Sequence, residues 1–170
     1  MTAGTRHARL TALLALAPAA LLIGSVATAA EKASHKGWPK IDGKLDIHKL
    51  DEETPMQGLK NKHNELLGGH GDDTITAGDI GDVLWGDYKP SGQPTTQKDI
   101  ITGGPGKDHI YASHGTNTIV TKGGADQVHA HYGRGTITCA TKKPLIFLSH
   151  RSKPHYKLKG CTRITFRSSL

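Results

Sequence analysis

Acidic residues run out early in this sequence: no Asp or Glu follows Asp126, and residues 127–170 carry nine Lys or Arg. Cysteine is scarce, with Cys139 and Cys161 the whole supply, so the chain can form one intramolecular disulfide at most. Beyond residues 10–26 no stretch is long and apolar enough to span a membrane. Also missing are an HExxH zinc helix, a GxSxG elbow and a phosphate-binding loop, which removes the common hydrolase and nucleotide-binding classes. HNELLGGH, residues 63–70, does not replace the first of these, because its histidines stand seven apart and a Gly pair interrupts any helix. No RNA-binding aromatic motif or DNA-binding helix is present, so no specific nucleic acid is expected as a partner.

What the chain does have is a nine-residue period. Its best copies are GGHGDDTIT (Gly68 to Thr76) and GGPGKDHIY (Gly103 to Tyr111), which share the pattern Gly-Gly-x-Gly-x-Asp-x-apolar-x. Stepping on by nine from Gly103 reaches ASHGTNTIV, TKGGADQVH, AHYGRGTIT and CATKKPLIF, and the eighth position reads Ile110, Ile119, Val128, Ile137 and Ile146. Upstream, AGDIGDVLW follows from Ala77, and Leu59 to Leu67 carries Asn64 and Leu66 at the sixth and eighth positions. Between Gly86 and Thr102 the chain spends seventeen residues where nine would serve. The excess, rich in Pro, Ser and Gly, reads as one loop near residues 88–97, after which Asp99 and Ile101 restore the register.

Each residue type in the unit has a job. Glycines give positive φ angles and close backbone approach, the Asp aims a carboxylate into the turn, and an apolar residue between two outward ones is a minimal strand. One unit cannot bury its apolar residue alone. Stacked units can, two per coil turn, around a thin core of Leu66, Ile75, Leu84, Ile101, Ile110, Ile119, Val128, Ile137 and Ile146. Each such residue contributes roughly 1.5 to 3 kcal/mol, against roughly 1 to 2 kcal/mol of backbone entropy per ordered residue. The deficit calls for a further source of binding energy, and hard cations held by carboxylates and carbonyls supply it in turns of this kind. The expected fold is all-β, a short parallel β-roll or β-solenoid over residues 59–147. An N-terminal cap (30–58) and a basic C-terminal cap (148–170) flank it.

Gly68 to Val128 resembles the RTX, or hemolysin-type, calcium-binding nonapeptide repeat. The resemblance implies a β-roll with Ca2+ held between turns stacked on one side, ligated by sixth-position Asp side chains and the carbonyls of the glycine turn. Carried over copy by copy, the side-chain ligands are Asp73, Asp82, Asp99, Asp108 and Asp126. The turn glycines are Gly68, Gly69, Gly71, Gly103, Gly104, Gly106 and Gly124. Blocks two apart share a side, so one edge carries Asn64, Asp82, Asp108 and Asp126 and the other Asp73, Asp99, Asn117 and Gly135. The first is the better calcium edge, with sites expected between the turns of Asp108 and Asp126 and between those of Asp82 and Asp108, the latter weakened by Ile80 at the third glycine. Asp73 with Asp99 is a third site, disturbed by the inserted loop. A calcium-free solenoid with turn-forming Asp residues is the alternative.

The N-terminus reads as an export signal, residues 1–29: Arg6 and Arg9, an apolar run from Leu10 to Val26, then Ala27-Thr28-Ala29 for a signal peptidase. No Cys follows the run to accept a lipid, so release to the extracellular space is expected. Calcium is abundant there, and oxidising conditions favour a Cys139–Cys161 bond stapling the C-terminal cap to the coil. Residues 31–58 read as one or two strands using Ile41, Leu45 and Ile47, then a turn at Asp51-Glu52-Glu53 before Pro55. The repeats leave no room for a second globular domain, so a noncatalytic protein is expected.

Other readings stay open. The basic tail could contact an anionic cell-surface or extracellular polymer, or simply block the solenoid end. His109, His114, His129 and His131 could form a surface zinc or copper site, though no third ligand is specified. Outward threonines, Thr74 and Thr76, Thr102, Thr118, Thr136 and Thr138, form a flat array of the kind that binds ice, but threonine is also a good strand residue. On the opposite sheet Trp85, Tyr111 and His129 could stack on a glycan.

Overall fold

The computed structural model describes Met1 and residues 38–48, 52–88 and 94–167. The signal-peptide reading (1–29) and the middle of the inserted loop (89–93) lie outside the described residues. Thirteen short strands alternate between two parallel sheets: β1 Leu45–Ile47, β2 Met56–Gln57, β3 Glu65–Leu67, β4 Thr74–Thr76, β5 Val83–Trp85, β6 Lys98–Thr102, β7 His109–Tyr111, β8 Thr116–Thr121, β9 Gln127–Ala130, β10 Arg134–Cys139, β11 Leu145–Leu148, β12 Tyr156–Lys159 and β13 Arg163–Thr165. The odd strands stack in order as a seven-stranded sheet and the even ones as a six-stranded sheet. This is an all-β solenoid with two strands per turn. One short 3-10 turn, Lys153–His155, interrupts it, and no helix among the described residues is long and apolar enough to cross a membrane.

The nine-residue period sets the register. Leu66 aligns with Leu84, Ile110, Val128 and Ile146 along one sheet, and Ile75 with Ile101, Ile119 and Ile137 along the other. All nine of these expected core residues are fully buried. Alignment of Ile75 with Ile101 shows that the loop is extruded without shifting the coil. Small residues at the first position of the unit, Ala77, Ala112 and Ala130, fill the core's corners together with Met56, Leu148 and Tyr156. They relieve the thinness of one good apolar residue in nine.

Parallel pairing reaches into both segments read as caps: β1 pairs with β3, β2 with β4, β12 with β10 and β13 with β11. The N-terminal strand is turned over relative to expectation. Asp46 aligns with core residue Leu66, whereas Leu45 and Ile47 point outward and are exposed. Lys44 Nζ, 2.6 Å from Asp46, neutralises the acid that this register puts at the end of the core row. At the other end Cys139 and Cys161 form a disulfide, joining β10 to the segment between β12 and β13.

Candidate metal centre

Each sixth-position residue immediately precedes a strand or is its second residue, so the parallel register stacks these side chains in two columns at the turn edges. On the first edge they form a ladder. The Lys44 amide donates to Asn64 Oδ1 (2.9 Å), Asn64 to Asp82 Oδ1 (2.6 Å), Asp82 to Asp108 Oδ1 (2.8 Å) and Asp108 to Asp126 Oδ1 (2.9 Å). The second carboxylate oxygen folds back on its own turn, where Gly78 donates to Asp82 Oδ2 (2.5 Å) and Gly104 to Asp108 Oδ2 (2.6 Å). At Asp126 no hydrogen bond reaches Oδ2, although the side chain is fully buried.

The glycines make this stacking feasible. A Cβ on Gly104 would sit 2.1 Å from the Gly78 carbonyl oxygen, and one on Gly124 would sit 1.6 Å from that of Gly106. Close approach, more than left-handed backbone, is therefore what the second strong copy requires: Gly71 in the first copy has φ +112°, but Gly103, Gly104 and Gly106 are not among the positive-φ residues. In the copy where Ile80 replaces the third glycine, Gly81 takes the left-handed conformation one position later, with φ +128°. Ile80 itself stays at the surface.

Burial without a counter-charge shows in the titration of these groups. Desolvation pushes Asp108 up to about 7, with the charges of Asp126 and Asp82 adding to the rise and the Gly104 and Asp82 amides opposing it. Burial pushes Asp126 up to about 6 against the Asp108 amide. Among the described residues no Lys, Arg or His pairs with Asp82, Asp108 or Asp126. Hard oxygen donors stacked at the same edge, with a buried carboxylate oxygen left over, fit a calcium ion. No three His, Cys, Asp or Glu side chains converge among the described residues, so carbonyl oxygens would have to complete the shell.

A family model described as RTX calcium-binding nonapeptide repeat matches residues 61–84 and 95–128 in four copies. Over these 58 of its 170 residues the chain is similar to RTX repeats. The gap between the matched RTX segments falls on the inserted loop. No curated protein and no solved structure matches the chain.

The second RTX edge is more heterogeneous. The Asp73 amide donates to Asp99 Oδ1 (3.2 Å), which brings the two expected acids together across the loop. His48 Nδ1 lies 2.9 Å from Asp73 Oδ1, and the Ser113 hydroxyl donates to Asp99 Oδ2. Burial raises Asp73, and it raises Asp99 to about 6. Beyond Asp99 the column turns neutral: Asn117 Nδ2 donates to the Ser113 carbonyl (3.0 Å) and to Tyr156 Oη (3.2 Å). Neither His48 nor Ser113 was visible as part of this edge in the sequence, since neither obeys the repeat.

The outward rings behave differently from expectation. Trp85 stacks on Tyr111 with centroids 4.6 Å apart, Tyr111 on His129 at 4.5 Å, and His129 on Phe147 at 4.5 Å. Tyr111 and His129 thus have both faces covered, and a sugar has no face of either to lie on. Trp38 crosses from the N-terminal segment to meet Trp85 edge-on, its indole N–H donating to Tyr111 Oη (2.8 Å). His109 and His129 are on neighbouring strands, but the histidines gather no metal-binding group among the described residues. The threonine rows align as expected and end at Lys157 and Lys159 on β12.

Proposed function

We propose that this chain is an exported, noncatalytic calcium-binding β-roll whose RTX repeats are ordered in part by ions held along the first turn edge. The observation that carries the reading is the stack of Asp82, Asp108 and Asp126, buried to within 1% of full occlusion and without a counter-cation among the described residues. Ligands come from these carboxylates and from the carbonyls of the glycine turns, including those of Gly104, Gly106 and Gly124. The ion supplies positive charge where the protein has placed none, and its binding energy becomes folding energy because the unfolded chain has no such array. Gly68, Gly69 and Gly71, with Asp73 and Asp99, form the corresponding part of the second edge.

Export rests on residues 1–29, and the disulfide is consistent with an oxidising compartment. The basic tail contributes the last strands, where Lys157, Lys159 and Arg163 are exposed. That placement supports the role of an end cap, since charge on an edge strand discourages further pairing.

Far-UV circular dichroism of the disulfide-intact mature protein, titrated with calcium after chelation, tests the reading. The β-sheet signal should grow with calcium and respond weakly in the Asp108→Ala/Asp126→Ala double variant. A spectrum already folded and unchanged, with no calcium bound by calorimetry, refutes it.

A further inference from the structure

The inserted segment interrupts the RTX pattern, yet its two ends return buried polar side chains to the second turn edge. Asp87 and Gln97 are 1% and 3% exposed, as buried as Asp73 and Asp99 beside them. Gln97 Nε2 donates to Asp87 Oδ2 (3.0 Å), which turns the amide's carbonyl oxygen loose: no hydrogen bond reaches Gln97 Oε1. None reaches Asp73 Oδ2 either. The backbone between them is tightly gathered. A Cβ on Gly68 would lie 2.7 Å from Asp73 Oδ2 and 2.1 Å from the Gly86 carbonyl oxygen, and one on Gly86 would lie 2.9 Å from Asp99 Oδ2. The Tyr88 amide, one residue past Asp87, donates to the Gly68 carbonyl (2.9 Å) and pins the start of the loop to this turn.

We propose that Asp73, Asp87 and Asp99, with the Gly86 carbonyl and the Gln97 side-chain carbonyl, form a calcium site on the second edge that the repeat pattern does not encode. The inference rests on the calcium reading above and extends it to a ligand, Asp87, that is not a sixth-position residue. Three acids share this buried edge, where among the described residues His48 lies 2.9 Å from Asp73 and His70 lies 4.0 Å from Asp87. The donor set is all oxygen and mixes carboxylate with carbonyl, which suits Ca2+. The carboxylates alone make no three-ligand group, so the two carbonyls are required members of the shell.

Calorimetric calcium titration of the mature, disulfide-intact protein tests this, comparing wild type with Asp87→Asn and Asp126→Asn. Asp87→Asn should lose one equivalent of bound calcium and keep the first-edge ions, and Asp126→Asn should lose a different one. Calcium binding by wild type that is unchanged in Asp87→Asn refutes this site alone, whereas no binding by wild type refutes the calcium reading itself. A second measurement covers failure of that variant to fold. Trp85 and Tyr88 border this edge, so Tb3+ bound here should emit when the indole is excited, be displaced by Ca2+, and still do so in Asp126→Asn. Tb3+ that binds wild type without sensitised emission overturns the proposal.

Discussion

Along the first turn edge every sixth-position side chain from Asn64 to Asp126 is held the same way, by the amide of the neighbouring turn. Along the second edge the same backbone geometry is served by a different set of partners at each level: His48 at Asp73, Ser113 at Asp99, and Tyr156 at Asn117. The first edge therefore has no side-chain counter-charge among the described residues. The second brings side chains from outside the repeat onto its acids, leaves Asp73 Oδ2 without a hydrogen bond, and gives up the acid beyond Asp99. Past Asp126 both columns lack carboxylates, and it is there that the disulfide sits. The proposed cation sites and the covalent bond thus divide the length of the solenoid between them.

The division predicts independent contributions. Reducing Cys139–Cys161, which closes a loop of 22 residues in sequence, should lower stability by about 3 kcal/mol in urea unfolding. The loss should be the same with calcium and with chelator. A loss confined to the calcium-loaded protein would mean that the C-terminal turns and the metal edge fold as one unit.

Next in size is calcium itself. A site held at a hundred times its Kd adds about 2.7 kcal/mol, seen as a rise in melting temperature. Because the turn of Asp108 faces those of both Asp82 and Asp126, Asp108→Asn should abolish more of that rise than Asp126→Asn. Equal effects would show that only one ion lies on the first edge.

A third change asks whether an acid at the sixth position is sufficient for binding. Asn117 is fully buried and its amide donates to carbonyl oxygens, so Asn117→Asp replaces donors by a second acceptor and should cost about 1 to 3 kcal/mol without calcium. Calcium should restore none of it, because Ser113 and Tyr156 fill the space and the turn has no glycine pair. Recovery with calcium, measured by thermal melting, would erase the distinction between the edges.

Most of the scaffold was legible because it is periodic. The nine core residues, the two columns and the re-entry at Asp99 and Ile101 all follow from counting by nine, and each strand pair confirms the count. What escaped is aperiodic. Met56 and Tyr156 extend the core from segments without repeat consensus, and His48 reaches Asp73 across 25 residues. Trp38 joins the ring ladder from a distance of 73 residues. Asp87 was hidden for the same reason, in a segment read only as an interruption. The turned-over β1 shows a different limit: in Leu-Asp-Ile the alternation was visible, but pairing with β3, not hydropathy, decided which face it buried.

A further effect concerns protons, and its sign separates the calcium-free protein from the loaded one. Burial places Asp108 near 7 and Asp126 near 6 in the folded chain, above the unfolded carboxylate value of about 3.9. The folded state therefore holds more protons than the unfolded state between those limits, and stability must fall as pH rises through them. Calcium-free protein should accordingly be more stable at about pH 4.5 than at about pH 7.5, where the carboxylates ionise side by side in a dry turn. Calcium competes with the protons for the same oxygens, so its affinity should fall on acidification and its presence should flatten or reverse the slope. Urea unfolding at both pH values, with calcium and with chelator, reads this directly. A calcium-free protein that gains stability with rising pH would mean that these carboxylates are already paired as anions in the folded chain.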